Sequence, residues 1–156
     1  MIFVTVGTQL PFPRLMGWVD AIAARNALDV FAQTAEPNGA YRQIRHQPFV
    51  TPQEYDSIIA DTRLIVGHAG IGTILTAKQK NLPLIIVPRR ADRGEHRNDH
   101  QLATARNLTG HRGVHVAQSE SELEAYLIAP TLESAFIEAT PAKIALQTFV
   151  RDWIYR

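Results

Sequence analysis

The sequence predicts an α/β protein, a parallel sheet with helices on both faces. Two observations carry that expectation: strand and helix signals alternate along the chain, and the strand segments are continuous apolar runs. Strands buried on both faces need apolar residues at every position, and in a parallel sheet the crossover helices provide that burial.

The elements follow in order. Ile2–Val6 is a β-branched run ending at Gly7-Thr8, a buried strand and its turn. Leu15, Val19, Ile22 and Ala23 recur at helical spacing. Leu28–Thr34 reads as a second strand, Pro37-Asn38-Gly39 as a turn, and Ile44–Val50 as a short third strand. Thr51-Pro52 with Glu54 opens a helix with a capping box. Leu64–Val66 is a strand broken by Gly67-His68-Ala69-Gly70, and a helix from Ile71 to Gln79 follows. Leu84–Val87 is a strand ending at Pro88, and Arg89–Glu95 is a charged loop. Arg97–Leu108 reads as a helix, Val114–Ala117 as a strand, and Ser119 with Glu122 as a second capping box. Thr131–Arg156 reads as a helical tail interrupted at Pro141.

Composition bounds the function. The 156 residues are predicted to form one domain, or half of a larger architecture. A net charge of +1 supplies no bulk attraction for nucleic acid. The chain has no cysteine, so disulfides and thiolate metal sites are excluded. The opening apolar run is too short for a secretory signal, and no stretch approaches the ~20 residues that span a bilayer. A cytoplasmic protein is expected, recruited to the inner face of a membrane only through a partner.

In a parallel sheet, ligands sit beyond the carboxyl ends of the strands. That rule directs attention to Gly7-Thr8, to Gly67–Gly72 and to Pro88–Glu95. His68-Ala69-Gly70-Ile71-Gly72-Thr73 joins a strand to a helix start. Glycines there let backbone approach a ligand, and free amides at the helix N-terminus favour an anion. The pattern suits a phosphate or diphosphate, although many strand-to-helix turns use glycine for close packing alone. Arg89, Arg90, Arg93 and Arg97 concentrate positive charge nearby, either as a solvated loop or as a clamp on phosphate or carboxylate. His96 and His100 are spaced to share a helical face, but the zincin arrangement is absent and no metal site is expected.

Val66-Gly67-His68-Ala69-Gly70-Ile71-Gly72-Thr73-Ile74-Leu75 resembles the signature of the family 28 glycosyltransferase C-terminal domain. The opening Val4-Thr5-Val6-Gly7-Thr8-Gln9, the Pro11–Leu15 run, Pro88-Arg89-Arg90, Gly94-Glu95-His96 and Asp99-His100-Gln101 are similar to small catalytic subunits of two-component bacterial exopolysaccharide glycosyltransferases. The family that the Val66–Leu75 signature resembles also includes the catalytic subunit that adds the second N-acetylglucosamine to lipid-linked dolichol. The resemblance runs from Met1 to about Ala117.

It implies a Rossmann-like fold, the donor-binding half of a GT-B enzyme. It implies a UDP-sugar as substrate with no cofactor, a lipid-linked saccharide acceptor, and a membrane-anchored partner subunit that binds that acceptor. Gly7, Thr8, Gly70, Ile71, Gly72, Thr73 and Arg89 would then hold the diphosphate, with His68 as the catalytic residue. Thr76 stands where relatives carry an acid for the ribose, while Glu95, His100 and Gln101 stand where they meet ribose or sugar. UDP-glucuronate is the favoured donor, because the arginines suit a second anionic group. The apolar tail is a candidate surface for the partner, or alternatively packs on its own sheet.

Two other classes stay open. A non-catalytic nucleotide-sugar-binding subunit would share the cradle without turnover. A nicotinamide-dependent oxidoreductase would share the fold, but Val6-Gly7-Thr8-Gln9 lacks the three-glycine fingerprint and no acid closes the second strand.

Overall fold

In the computed structural model, residues 1–136 are described. Six strands form one all-parallel sheet: β1 (Ile2–Thr5), β2 (Val30–Gln33), β3 (Arg45–Gln47), β4 (Leu64–Gly67), β5 (Leu84–Ile86) and β6 (Val114–Val116). Their spatial order is β3-β2-β1-β4-β5-β6. The chain winds outward from β1 in one direction, then returns to place β4 on its other side. The switch point therefore lies between β1 and β4, where a crevice opens beyond the strand ends.

The alternation of side chains along each strand feeds two cores. Ile2 and Val4 of β1 face α1 (Pro13–Asn26) and α5 (Glu120–Ile128), packing with Leu15, Met16, Val19, Leu123 and Leu127. Phe3 faces the opposite way, toward α2 (Pro52–Ala60), α3 (Ile71–Lys80) and α4 (His100–Leu108), with Ile59, Ile74, Ala77 and Ala105. Ile2, Phe3 and Val4 are all fully buried, as helices on both faces require.

The local signals act as their chemistry directs. The Thr51 hydroxyl accepts the Glu54 amide, and the Glu54 carboxylate accepts the Thr51 amide, a complete capping box behind Pro52. Ser119 caps α5 through the Glu122 amide, but the Glu122 carboxylate accepts from Gln118 instead, one residue outside the box.

Several boundaries differ from the sequence expectation. β2 covers Val30–Gln33 rather than Leu28–Thr34, and most other strands end one residue early. Three further differences have a visible cause. β3 spans only Arg45–Gln47, because Pro48 has no N–H to continue the ladder. The helix expected from Arg97 starts at His100, since the Asn98 side chain accepts the His100 amide and Asp99 turns away to accept the Ala91 amide. Thr131–Phe136, expected to be helical, is an irregular strap. The Ala135 amide donates to the Leu82 carbonyl, and the Ser134–Ala135 backbone lies against Gly113, where no side chain would fit. Tertiary docking overrides local propensity here. The rest of the expected tail, 137–156, lies outside the described residues.

Candidate functional site

The crevice at the switch point is built by two loops and braced by a third. After β1, the chain turns at Gly7, whose φ of 78° is the left-handed conformation that glycine adopts without strain. The Thr5 hydroxyl accepts the Gly7 amide at 3.2 Å and itself donates to buried Gln33, which ties the turn to the sheet. After β4, His68-Ala69-Gly70 leads into α3, with Gly70 as N-cap. Gly70 offers no capping side chain, so the amides at the start of α3 have no acceptor from the cap and are available to an external anion.

Between these loops lies a cavity of about 320 Å³, at the lower end of the range for small-molecule sites. Seven of the expected diphosphate and catalytic residues line it: Gly7, Thr8, His68, Gly70, Ile71, Gly72 and Thr73. Arg89 and Gln101 complete the far wall, together with Gln9, Leu10 and His96. The expected cradle and the expected sugar contact at Gln101 thus meet in one place.

The glycines differ in purpose. A β-carbon at Gly70 would strike the His68 ring, 2.8 Å from Cε1, and one at Gly7 would lie 3.0 Å from the same atom. These two glycines clear space for the imidazole. A β-carbon at Gly72, which also lines the cavity, would meet nothing within 4 Å. The His68 Nδ1 is buried without a hydrogen-bond partner. Burial pushes the His68 pKa down to about 4, and the positive charge of Arg89 pushes the same way. At neutral pH the ring is uncharged, and it lines the cavity together with the first residues of α3.

Arg89, expected to hold the diphosphate, lines the cavity but directs its hydrogen bonds into the fold. It is 2% exposed, and its guanidinium donates to the carbonyls of Pro11 at 2.5 Å, Leu10 at 2.6 Å and Val6 at 3.1 Å. It also stacks over Phe12, 4.5 Å from the ring centre. Its charged donors hold the Val6–Phe12 loop in place, and burial lowers its pKa with Glu95 opposing. Its charge reaches the cavity while its hydrogen bonds go to backbone.

Glu95 is likewise engaged. It forms a bidentate pair with Arg14, at 2.5 and 2.7 Å, and accepts the Arg90 amide at 2.9 Å. Both side chains are about nine-tenths covered, at 12% and 10% exposure. Arg14 also donates to the Pro88 carbonyl. This cross-brace joins α1 to the loop after β5. Arg14 carried no expected role, and only the Pro11–Leu15 run hinted at it. Arg90 pairs with Asp92 on the surface.

Gln101 is 4% exposed, and its Oε1 accepts the Arg89 amide at 3.1 Å. The remaining expected contacts lie apart. Thr76 sits outside the cavity and accepts a hydrogen bond from Tyr55 of α2 at 3.3 Å. His100 is exposed, hydrogen-bonded to Asn98 and edge-on to His96, with ring centres 4.5 Å apart. No group of three metal-ligating side chains occurs among the described residues. Among them, no helix is long and apolar enough to cross a membrane.

The sequence model of the glycosyltransferase family 28 C-terminal domain matches residues 1–155. No curated protein matches the chain. Among solved structures, the glycosyltransferase of kitacinnamycin superposes with a TM-score of 0.62 at 15% identity, covering 97% of this chain and 38% of that one. ALG13, solved in solution by NMR, gives 0.59 at 19% identity and covers 93% of each chain. MurG of Acinetobacter baumannii gives 0.55 at 18% identity, covering 96% of this chain and 40% of that one. The chain spans about two fifths of the length of the first and third of these. At such identities the likeness is one of fold.

Proposed function

We propose that this chain, which belongs to the glycosyltransferase family 28 C-terminal domain family, is the donor-binding half of a sugar transferase that uses a UDP-sugar. The observation that carries the reading is the uncapped start of α3 beside neutral His68, facing Gly7-Thr8 across the β1–β4 crevice. That arrangement offers backbone amides, a helix dipole and one neutral imidazole to a diphosphate.

In the reaction, an acceptor hydroxyl oxygen attacks the anomeric carbon of the sugar. The bond from that carbon to the diphosphate oxygen breaks, and UDP leaves with the electron pair. The amides of Ile71, Gly72 and Thr73 and the His68 ring would stabilise the charge that grows on the departing diphosphate. Gln101, held by the Arg89 amide, would meet the sugar. A base must take the acceptor proton, and we assign that base to a membrane-anchored partner subunit that also binds a lipid-linked saccharide acceptor. The pathway would be exopolysaccharide assembly at the cytoplasmic face of a membrane, and glucuronate is the acidic sugar that the arginine-rich loop suits.

Titration calorimetry with UDP, UDP-sugars and NAD tests the donor assignment. UDP should bind and NAD should not, and absence of UDP binding at millimolar concentration would remove it. UDP release in the presence of partner and acceptor separates a transferase from a binding module, which would show none.

A further inference from the structure

Beside the donor cavity lies a second cavity of about 650 Å³, enclosed by the Leu10–Arg14 segment and the Arg93–Arg97 segment. Leu10 and His96 line both cavities, so the two adjoin at those residues. Arg93 and Arg97 line the second cavity and not the first.

The charges around them are unevenly used. Each acid of the 90–99 loop has a partner within the fold: Asp92 holds Arg90, Glu95 holds Arg14 and the Arg90 amide, and Asp99 holds the Ala91 amide. Arg89 is occupied by backbone carbonyls. Arg93 and Arg97 have no hydrogen bond or ion pair from their side chains among the described residues. Arg14 and Glu95 also line this cavity, as a mutual ion pair, so Arg93 and Arg97 leave its lining net positive, which favours an anion there. The loop is well anchored, so the arginines are carried on a braced frame rather than a free one.

We propose that this second cavity is an anion subsite, distinct from the diphosphate cradle, in which Arg93 and Arg97 receive a phosphate or carboxylate at the sugar end of the donor site. The proposal rests on the donor-site reading, because the subsite takes its meaning from the junction at His96. Two sources share this chemistry: a carboxylate carried by the donor sugar, and a phosphate carried by the acceptor. Guanidinium matches either through paired hydrogen bonds.

The test uses the full chain, wild type and R93A/R97A, by titration calorimetry. UDP should bind both alike, since neither arginine lines its cavity. Inorganic pyrophosphate added to UDP-saturated wild type should then bind at a second site, weakened about tenfold or more in R93A/R97A. In parallel, UDP-glucuronate and UDP-glucose are compared on both chains. A preference for UDP-glucuronate that R93A/R97A abolishes supports the subsite and identifies the donor carboxylate. Equal affinities for the two sugars, together with the second pyrophosphate site, support it and identify the acceptor phosphate. If UDP binds but neither effect appears, the subsite is overturned and the donor reading stands. A chain that does not bind UDP overturns both.

Discussion

The His68 imidazole occupies the space that a side chain at Gly70 would take, with Cε1 2.8 Å from where that β-carbon would sit. The glycine two residues on, Gly72, has no such neighbour. One glycine of the motif therefore makes room for a protein group, and the other, at the start of α3, has open space around it. Substitution separates the two roles.

Gly70→Ala should displace His68 and weaken UDP binding by about tenfold or more, with a stability loss of roughly 1–3 kcal/mol from the overpacked turn. Gly72→Ala should instead stabilise α3 by about 0.5–1 kcal/mol, because alanine lowers the entropy cost of a helical position. Its UDP affinity should nonetheless fall, as the new methyl enters the cradle. Urea unfolding and calorimetry on both variants check this. Undiminished UDP affinity in Gly72→Ala would move the diphosphate away from the helix start.

His68 sets a pH signature. Its folded pKa lies near 4, below the ordinary histidine value, so the unfolded chain takes up this proton first as pH falls. Its contribution to stability is therefore fully present above the unfolded pKa and is lost as pH drops toward about 4. His68→Asn should flatten that part of the stability curve. UDP should raise the His68 pKa, since a diphosphate favours the imidazolium. An NMR titration of the ring with and without UDP reads the change, and an unmoved midpoint would place the anion elsewhere.

Arg89→Met should cost about 3–5 kcal/mol, because it leaves the Val6, Leu10 and Pro11 carbonyls without their charged donor. UDP affinity should fall with it, through the loosened Gly7–Phe12 loop. A denaturation midpoint near wild type, with affinity lost, would restore Arg89 as a direct phosphate ligand.

Glu95→Gln should lower stability by about 1.5–3 kcal/mol through its weakened pair with Arg14. UDP affinity should change less than twofold, because Glu95 does not line the cavity proposed to hold the donor. Chemical denaturation and calorimetry separate the two effects. A large loss of UDP-sugar affinity at unchanged stability would return Glu95 to a sugar-binding role.

Most of the secondary structure and the place of the β1–β4 cavity were legible in the sequence, because both follow from local chemistry. Continuous apolar runs at Ile2–Val6 and Leu64–Val66 leave no polar face, so they call for a sheet covered on both sides. Thr51, Pro52 and Glu54 start a helix with groups that lie within four residues of one another. The switch-point rule then brings Gly7 and Gly70 to the same crevice. What each side chain does there was decided by contacts between distant parts of the chain. Arg14 and Glu95 are 81 residues apart, as Arg89 and Val6 are 83. A run of arginines in sequence carries only its charge. Burial against backbone carbonyls turned Arg89 into a brace, pairing absorbed Arg14 and Arg90, and the same packing left Arg93 and Arg97 lining a second cavity beside the first. Thr76 took a partner on α2 for the same reason: a polar group in a packed layer bonds to what the fold places beside it.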